Sequence, residues 1–374
     1  MIFSIVGLLI VSSVFPFVAY PSKNKSSVQN SDGSPSYPIS HSSYDPFPQR
    51  RWTPGPLWLM CKVPGVSFSP SCITELKQTR LAFVKPIFTT SAYQNGFYNF
   101  YSLHQKDLAT GYSGPDLQLL NVSTYDAWSA EGRTSGFGLY DFIQQFQNKN
   151  YLNNIPILTD ISVNNGDLNF ANGSRRFDVV VLGFTEYVTI AEYNYYKNFV
   201  ASGGTLIFTD GCSLLAQVIY YPVSNKIALV SGHGWNFNGA RAWSGPYSRW
   251  STENTNWIGS DYRLFFREGY KIQNALLSNG NPISNLMLSD FGGAVWSSNY
   301  TGHEENVVTN STDNIIATWK LTNWLNSSET VATYSHAYQN GLVIHAGIFG
   351  TDIIATNYEF KFFILVSILS RSYY

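Results

Sequence analysis

Residues 177–211 read FDVVVLGFTEYVTIAEYNYYKNFVASGGTLIFTDG, and no other stretch constrains the fold so tightly. Val179, Val180, Val181 and Leu182 form an unbroken apolar run. Continuous rather than alternating apolarity suits a strand covered on both faces, as in a parallel sheet. Thr189 precedes Glu192 at the capping-box spacing. Its hydroxyl can take an orphan helix N–H while the Glu192 carboxylate reaches back to the cap. Tyr193, Tyr196 and Val200 recur at helical steps and build one apolar stripe. Gly203 and Gly204 end the helix, because glycine accepts the left-handed conformation at low cost. Residues 205–208 open a second strand. The stretch is one βαβ unit, with the right-handed crossover such units adopt.

Other segments extend this pattern. Residues 81–88 (LAFVKPIF) read as the first strand of the domain and 93–103 as an aromatic helix. Residues 135–146 carry apolar residues at helical spacing, and 155–160 (IPILTD) make a short strand ending in a carboxylate. Residues 227–230, 330–335 and 341–347 read as strands, and 359–369 as a closing helix too short for a membrane span. The Trp-, Gly- and Asn-rich segment 232–261 has weak periodicity and reads as a long surface excursion. Strands alternating with helices predict an α/β domain over residues 57–374. Its expected core is a doubly wound, mostly parallel, flavodoxin-like sheet with helices on both faces.

Residues 2–20 are apolar and uncharged. They read as a signal peptide or an uncleaved N-terminal anchor, which gives the chain a secreted or cell-surface location. Residues 21–56, rich in Ser, Pro and Asn, read as a disordered spacer. In an exported protein Cys61 and Cys72, which bracket a short Pro/Gly/Ser-rich loop, pair as a disulfide and leave Cys212 over. N-x-S/T sequons stand at Asn24, Asn121, Asn172, Asn299, Asn310 and Asn326; they permit glycosylation without arguing for it. Charged residues are only 13% of the chain and the net charge is −1. No basic stripe is present, which argues against a nucleic-acid partner and leaves membrane contact to the N-terminal segment. Aromatic residues reach 16%. They supply a large core or, in a sharper reading, a surface that stacks on sugars.

The chemistry-bearing residues cluster at predicted strand ends. Asp160, Glu186 and Asp210 each follow a strand, and in an open α/β sheet those ends face one crevice. Three carboxylates there could hold a cation or do acid–base work. The plainer reading is helix capping and turn formation, which Asp performs routinely at such positions. His233, set between glycines in SGHGW, joins Glu186 and Asp210 as a catalytic candidate. Trp235 and Trp243 beside it, with Asp160, are the candidates for binding a small molecule or a glycan.

The stretch FDVVVLG, a helix and FVASGGTLIFTDG resembles the class I glutamine-amidotransferase-like proteins. Within them the likeness is to the branch containing the C-terminal region of the N,N-dimethylformamidase large subunit. Gly183, Glu186, Tyr187, Gly203, Gly204, the strand to Gly211 and the terminal GLVIHAGIFGTDI carry it. The resemblance implies two chemistries. Amidotransferases set a nucleophilic Cys on a sharp turn after the strand matching residues 205–209. Here Asp210 lies near that turn, Cys212 falls two residues later, and neither G-x-C-x-G nor a C-terminal His-x-Glu is present; His345 lies within a strand pattern. A Cys without a neighbouring base is a poor nucleophile at neutral pH. The dimethylformamidase branch implies a mononuclear iron held by Tyr and Glu side chains, polarising an amide carbonyl. Tyr187 is carried over from the Glu-Tyr pair as a ligand, and Glu186 is the carboxylate candidate beside it. Three readings follow: an exported binding or surface protein that lacks the amidotransferase triad, a metal-assisted C–N hydrolase, and a carbohydrate-binding protein.

Overall fold

The structure is a computed structural model and describes residues 74, 76–93, 97, 119–122, 155–232, 248–265, 271–296, 304–308, 315–322, 327–348 and 357–370. The expected N-terminal segment and spacer, the Cys61–Cys72 disulfide, the helix over 135–146, His233, Trp235 and Trp243 lie outside the described residues.

In chain order the elements are β1 (Leu81–Lys85), α1 (Ile87–Tyr93), β2 (Leu120–Asn121), β3 (Ile157–Thr159), α2 (Asp160–Asn164), β4 (Val179–Leu182), β5 (Tyr187–Thr189) and α3 (Ile190–Ala201). There follow β6 (Thr205–Phe208), β7 (Ala216–Tyr221), β8 (Lys226–Ser231), α4 (Ser251–Trp257), β9 (Ser260–Phe265), β10 (Lys271–Leu277), α5 (Pro282–Phe291) and β11 (Ala294–Val295). The last are β12 (Glu304–Val308), β13 (Ile315–Thr322), β14 (Ser327–Tyr338), β15 (Gly341–Ala346) and α6 (Tyr358–Leu369).

The βαβ stretch folds as its sequence dictates. Thr189 Oγ1 accepts the Glu192 N–H at 3.0 Å, the first half of the capping box. At the far end Gly203 has φ +102°. Its N–H reaches the Val200 carbonyl at 2.9 Å, and the Gly204 N–H reaches that of Phe199 at 2.9 Å. That pair of bonds is a Schellman stop, and it needs the left-handed residue. β4 and β6 then pair in parallel, Val179 with Thr205 through Leu182 with Phe208.

The doubly wound, mostly parallel, flavodoxin-like class is corrected by the sheet as a whole. Its nine strands run β11-β10-β13-β14-β15-β6-β4-β1-β3. Only β15-β6-β4-β1-β3 is parallel; the joins from β15 through β14, β13 and β10 to β11 are all antiparallel. The reason is connection length. A parallel join needs a crossover of a dozen or more residues, whereas Gln339 and Asn340 alone link β14 to β15, which forces a hairpin. The cue was the period-2 pattern of IIATWKLT in β13, where Ala317, Trp319 and Leu321 are buried and Thr318, Lys320 and Thr322 half-buried.

β1 is also shorter than expected. It ends at Lys85, and Pro86 leads into α1, because proline's fixed φ and missing N–H suit the first turn of a helix. A four-stranded sheet, β2-β8-β7-β5, lies against α1 through Ile87, Phe88, Tyr93, Leu215, Val218 and Leu229. On one face of the main sheet α3 packs Tyr193, Tyr196, Phe199 and Val200. On the other, α5 and α6 pack with Trp296 and Trp319. α6 is apolar all round and accordingly buried. The described part of the expected surface excursion is not on the surface: Trp250 stacks on Tyr193 with ring centroids 4.2 Å apart, and Trp257 is fully buried. A Trp-rich, aperiodic segment there lines the core instead.

Candidate functional site

β1 is flanked by β3 on one side and β4 on the other. The chain returns past β1 on going from β3 to β4, so the carboxyl ends of β1 and β4 form a topological switch point, where open α/β sheets bind ligands. α1 leaves one of these ends and the loop carrying Glu186 leaves the other. Thr89 Oγ1 ties them together by accepting the N–H groups of Glu186 and Tyr187 at 2.9 and 3.0 Å. Tyr93, the last residue of α1, donates its hydroxyl to Glu186 Oε2 at 2.6 Å. The Tyr187 ring stands edge-on to the Tyr93 ring, centroids 6.4 Å apart.

This centre is closed. Glu186 and Tyr187 have no exposed surface, and Tyr93 and Cys212 are buried beside them. Burial first, then the Glu186 charge, holds the Tyr93 phenol well above its ordinary range. Tyr93 is therefore a donor and Glu186 its acceptor. Cys212 lies in the bend between β6 and β7, packed in the apolar cluster of α1 and the small sheet. A strand follows it rather than a helix, so the strand–turn–helix geometry of a nucleophile elbow is not formed. His345 is buried in β15, stacked on Tyr334, and burial pushes it down to about 3.

The other two strand-end carboxylates serve local structure. Asp160 Oδ2 accepts the Phe88 N–H at 2.6 Å and so caps α1 from across the sheet edge. Asp210 Oδ2 lies 2.6 Å from the Thr209 hydroxyl, which also reaches the Leu182 carbonyl at 2.8 Å. Among the described residues no three His, Cys, Asp or Glu side chains come together as a metal-holding group, so Asp160, Glu186 and Asp210 do not converge as expected.

Asp160 instead meets a residue that the sequence offered only as a helix cap. Its carboxyl lies against that of Glu192, and both are fully buried. Tyr196 donates to Glu192 Oε1 at 2.8 Å. Two carboxyls in contact need a proton between them. Burial pushes Asp160 up to about 7, and burial together with the Asp160 charge raises Glu192 well above its usual range.

Tyr93 is the site residue that sequence reading missed. Its signal was a strand, a proline and a short helix ending in a phenol at the switch point. Two phenols and one carboxylate, all oxygen donors and all buried, suit in donor type the Lewis-acid cation that the dimethylformamidase resemblance implies. Tyr93, Glu186 and Tyr187 are the residues that would hold it.

No protein-family model and no curated protein matches the chain. Solved structures similar to it include the cold-adapted β-galactosidase of Rahnella sp. R3, at 9% identity and TM-score 0.39, over 79% of this chain and 31% of that one. The β-galactosidase of Bacillus circulans sp. alkalophilus is similar at 14% identity and TM-score 0.38, over 81% and 33%. That of the Antarctic haloarchaeon Halorubrum lacusprofundi stands at 10% identity and TM-score 0.27, over 75% and 30%. The chain spans about a third of those proteins' length, and likenesses at these scores carry no argument about its fold or activity.

Proposed function

We propose that this chain is an exported or surface-attached binding protein which resembles the glutamine amidotransferases in one βαβ unit but lacks their catalytic triad. One observation carries the reading. The position nearest the amidotransferase nucleophile holds Asp210, and Cys212 is packed into an apolar cluster before a strand. A glutamine-directed electrophile such as a diazo-ketone analogue tests it. Native protein should resist labelling at Cys212 and react there only after unfolding. Stoichiometric labelling of the folded chain, with glutaminase activity, would overturn the reading.

The Tyr93–Glu186 contact of 2.6 Å beside Tyr187 favours a second reading, a metal-assisted C–N hydrolase. A bound Lewis-acid cation would polarise an amide carbonyl. Tyr93 and Tyr187 would have to give up their protons to serve as ligands, and Glu186 would balance the charge. Elemental analysis of purified protein tests this reading: iron or zinc at one per chain, lost in Tyr187→Phe, supports it, and metal-free protein that takes up none sinks it. The glycan reading rests on Trp235 and Trp243. Binding on a glycan array that survives Trp235→Ala and Trp243→Ala would dismiss it.

A further inference from the structure

Two of the six sequons, at Asn121 and Asn172, lie among the described residues, and Asn172 stands on an exposed turn. Asn172 lies at the tip of a tight hairpin, Phe170-Ala171-Asn172-Gly173-Ser174, between the bridged pair Asn169 and Arg175. The Gly173 N–H reaches the Phe170 carbonyl at 2.8 Å, closing a β-turn, and the Phe170 N–H reaches the Ser174 carbonyl at 2.8 Å. Gly173 has φ +81°, so the loop is a turn followed by a glycine bulge, a standard three-residue hairpin connection. Residues 170–174 are all exposed.

Two side chains of this turn are tied together. Asn172 Oδ1 accepts both the Ser174 N–H at 3.0 Å and the Ser174 hydroxyl at 2.7 Å. Phe170 and Ser174 stand opposite each other across the ladder, and opposed residues point to the same side. Phe170 is 52% exposed, and its ring meets the Arg176 guanidinium at 5.9 Å. A single exposed apolar side chain would mean little by itself. This one stands two residues before the acceptor in the same turn, where its flat apolar ring can receive the C–H face of a sugar attached to Asn172.

We propose that Asn172 is an N-glycosylation site and that Phe170 is the platform on which the first sugar of the glycan stacks. The inference rests on the export reading. The donor is a polyprenyl-pyrophosphate-linked oligosaccharide, and a membrane oligosaccharyltransferase acts on the turn. The Asn172 side-chain nitrogen bonds to the sugar's anomeric carbon as the carbon–oxygen bond to the pyrophosphate breaks. The lipid pyrophosphate leaves with the electron pair, and one amide proton passes to the transferase's base.

The test expresses the full chain in secretory cells, once with its own N-terminus and once behind a borrowed cleavable leader. Enzymatic deglycosylation in heavy-oxygen water followed by peptide mass spectrometry reads each sequon. Asn172 should be occupied, and Asn172→Gln should abolish that mark alone. Phe170→Ala should lower occupancy at Asn172, leave Asn121 unchanged and abolish the rise in melting temperature that the glycan confers; Phe170→Tyr should restore both. Asn172 unmodified in the leader-borne chain would overturn the proposal, and indifference to Phe170→Ala would overturn the platform. Occupancy behind the borrowed leader with none behind the native N-terminus sinks the export reading while the acceptor turn stands.

Discussion

Two carboxylates that flank β5 meet opposite fates. Glu186 faces the Tyr93 phenol, whereas Glu192, in the first turn of α3, faces a second carboxyl besides the Tyr196 phenol. Both are fully buried. Beside Glu186 the proton stays on Tyr93, because burial moves a phenol away from neutrality. Between Asp160 and Glu192 the proton must be shared, and burial moves a carboxyl towards neutrality. Burial therefore makes the carboxyl pair responsive to pH, whereas the Tyr93 phenol keeps its proton through the neutral range.

The largest effect expected is that of Asp160→Ala. It leaves the buried Phe88 N–H at the start of α1 unpaired and opens a small hole beside Glu192, for a loss of about 3 kcal/mol in urea unfolding at neutral pH. Asp160→Asn, which keeps an acceptor for the Phe88 N–H, should cost much less. Next comes the pH slope. Both carboxyls of the pair are raised in the folded state, so the folded chain binds more protons than the unfolded one above the ordinary carboxylate range. The stability they contribute is complete below about pH 4 and is lost as pH rises towards and through about 7. The slope is about 1.4 kcal/mol per pH unit for each extra proton held, and Glu192→Gln should flatten it. An unchanged slope in that variant would place the shared proton elsewhere. Tyr93→Phe should cost about 2 kcal/mol by leaving Glu186 short of a donor, read in the same urea unfolding. The smallest effect is that of Thr189→Ala, about 1 kcal/mol for a lost helix cap.

These contrasts also mark what the sequence could and could not convey. The βαβ unit was legible to its ends because each signal is local: the apolar run of β4, the Thr189 cap, the Gly203 stop. The positions of Asp160, Glu186 and Asp210 at strand ends were legible for the same reason. Their partners were not. Tyr93 meets Glu186 across 93 residues of chain, and nothing in either neighbourhood encodes the pairing. Glu192 was visible as a cap, but that its carboxyl also touches Asp160 depends on how α2 packs on α3. The antiparallel half was under-read because the alternation of IIATWKLT marks a strand but not its partner or its direction, which only the short β14–β15 link betrays. Trp250 and Trp257 looked like surface ornament in a polar segment, yet Tyr193 and the sheet face bury them. Composition alone cannot separate an aromatic core from an aromatic surface.

β15 joins the two halves of the main sheet, with β14 antiparallel on one edge and β6 parallel on the other. The first pairing closes over two residues; the second must wait for a strand far back in the chain. A hairpin that forms early and docks late makes the non-local join the slow step in folding. Once docked, β15 has no free edge, and neither half can fray past it without exposing the other. Its central amides, those of Val343 and Ile344, should therefore exchange with solvent only when the whole sheet opens, making this strand the gauge of the chain's cooperativity.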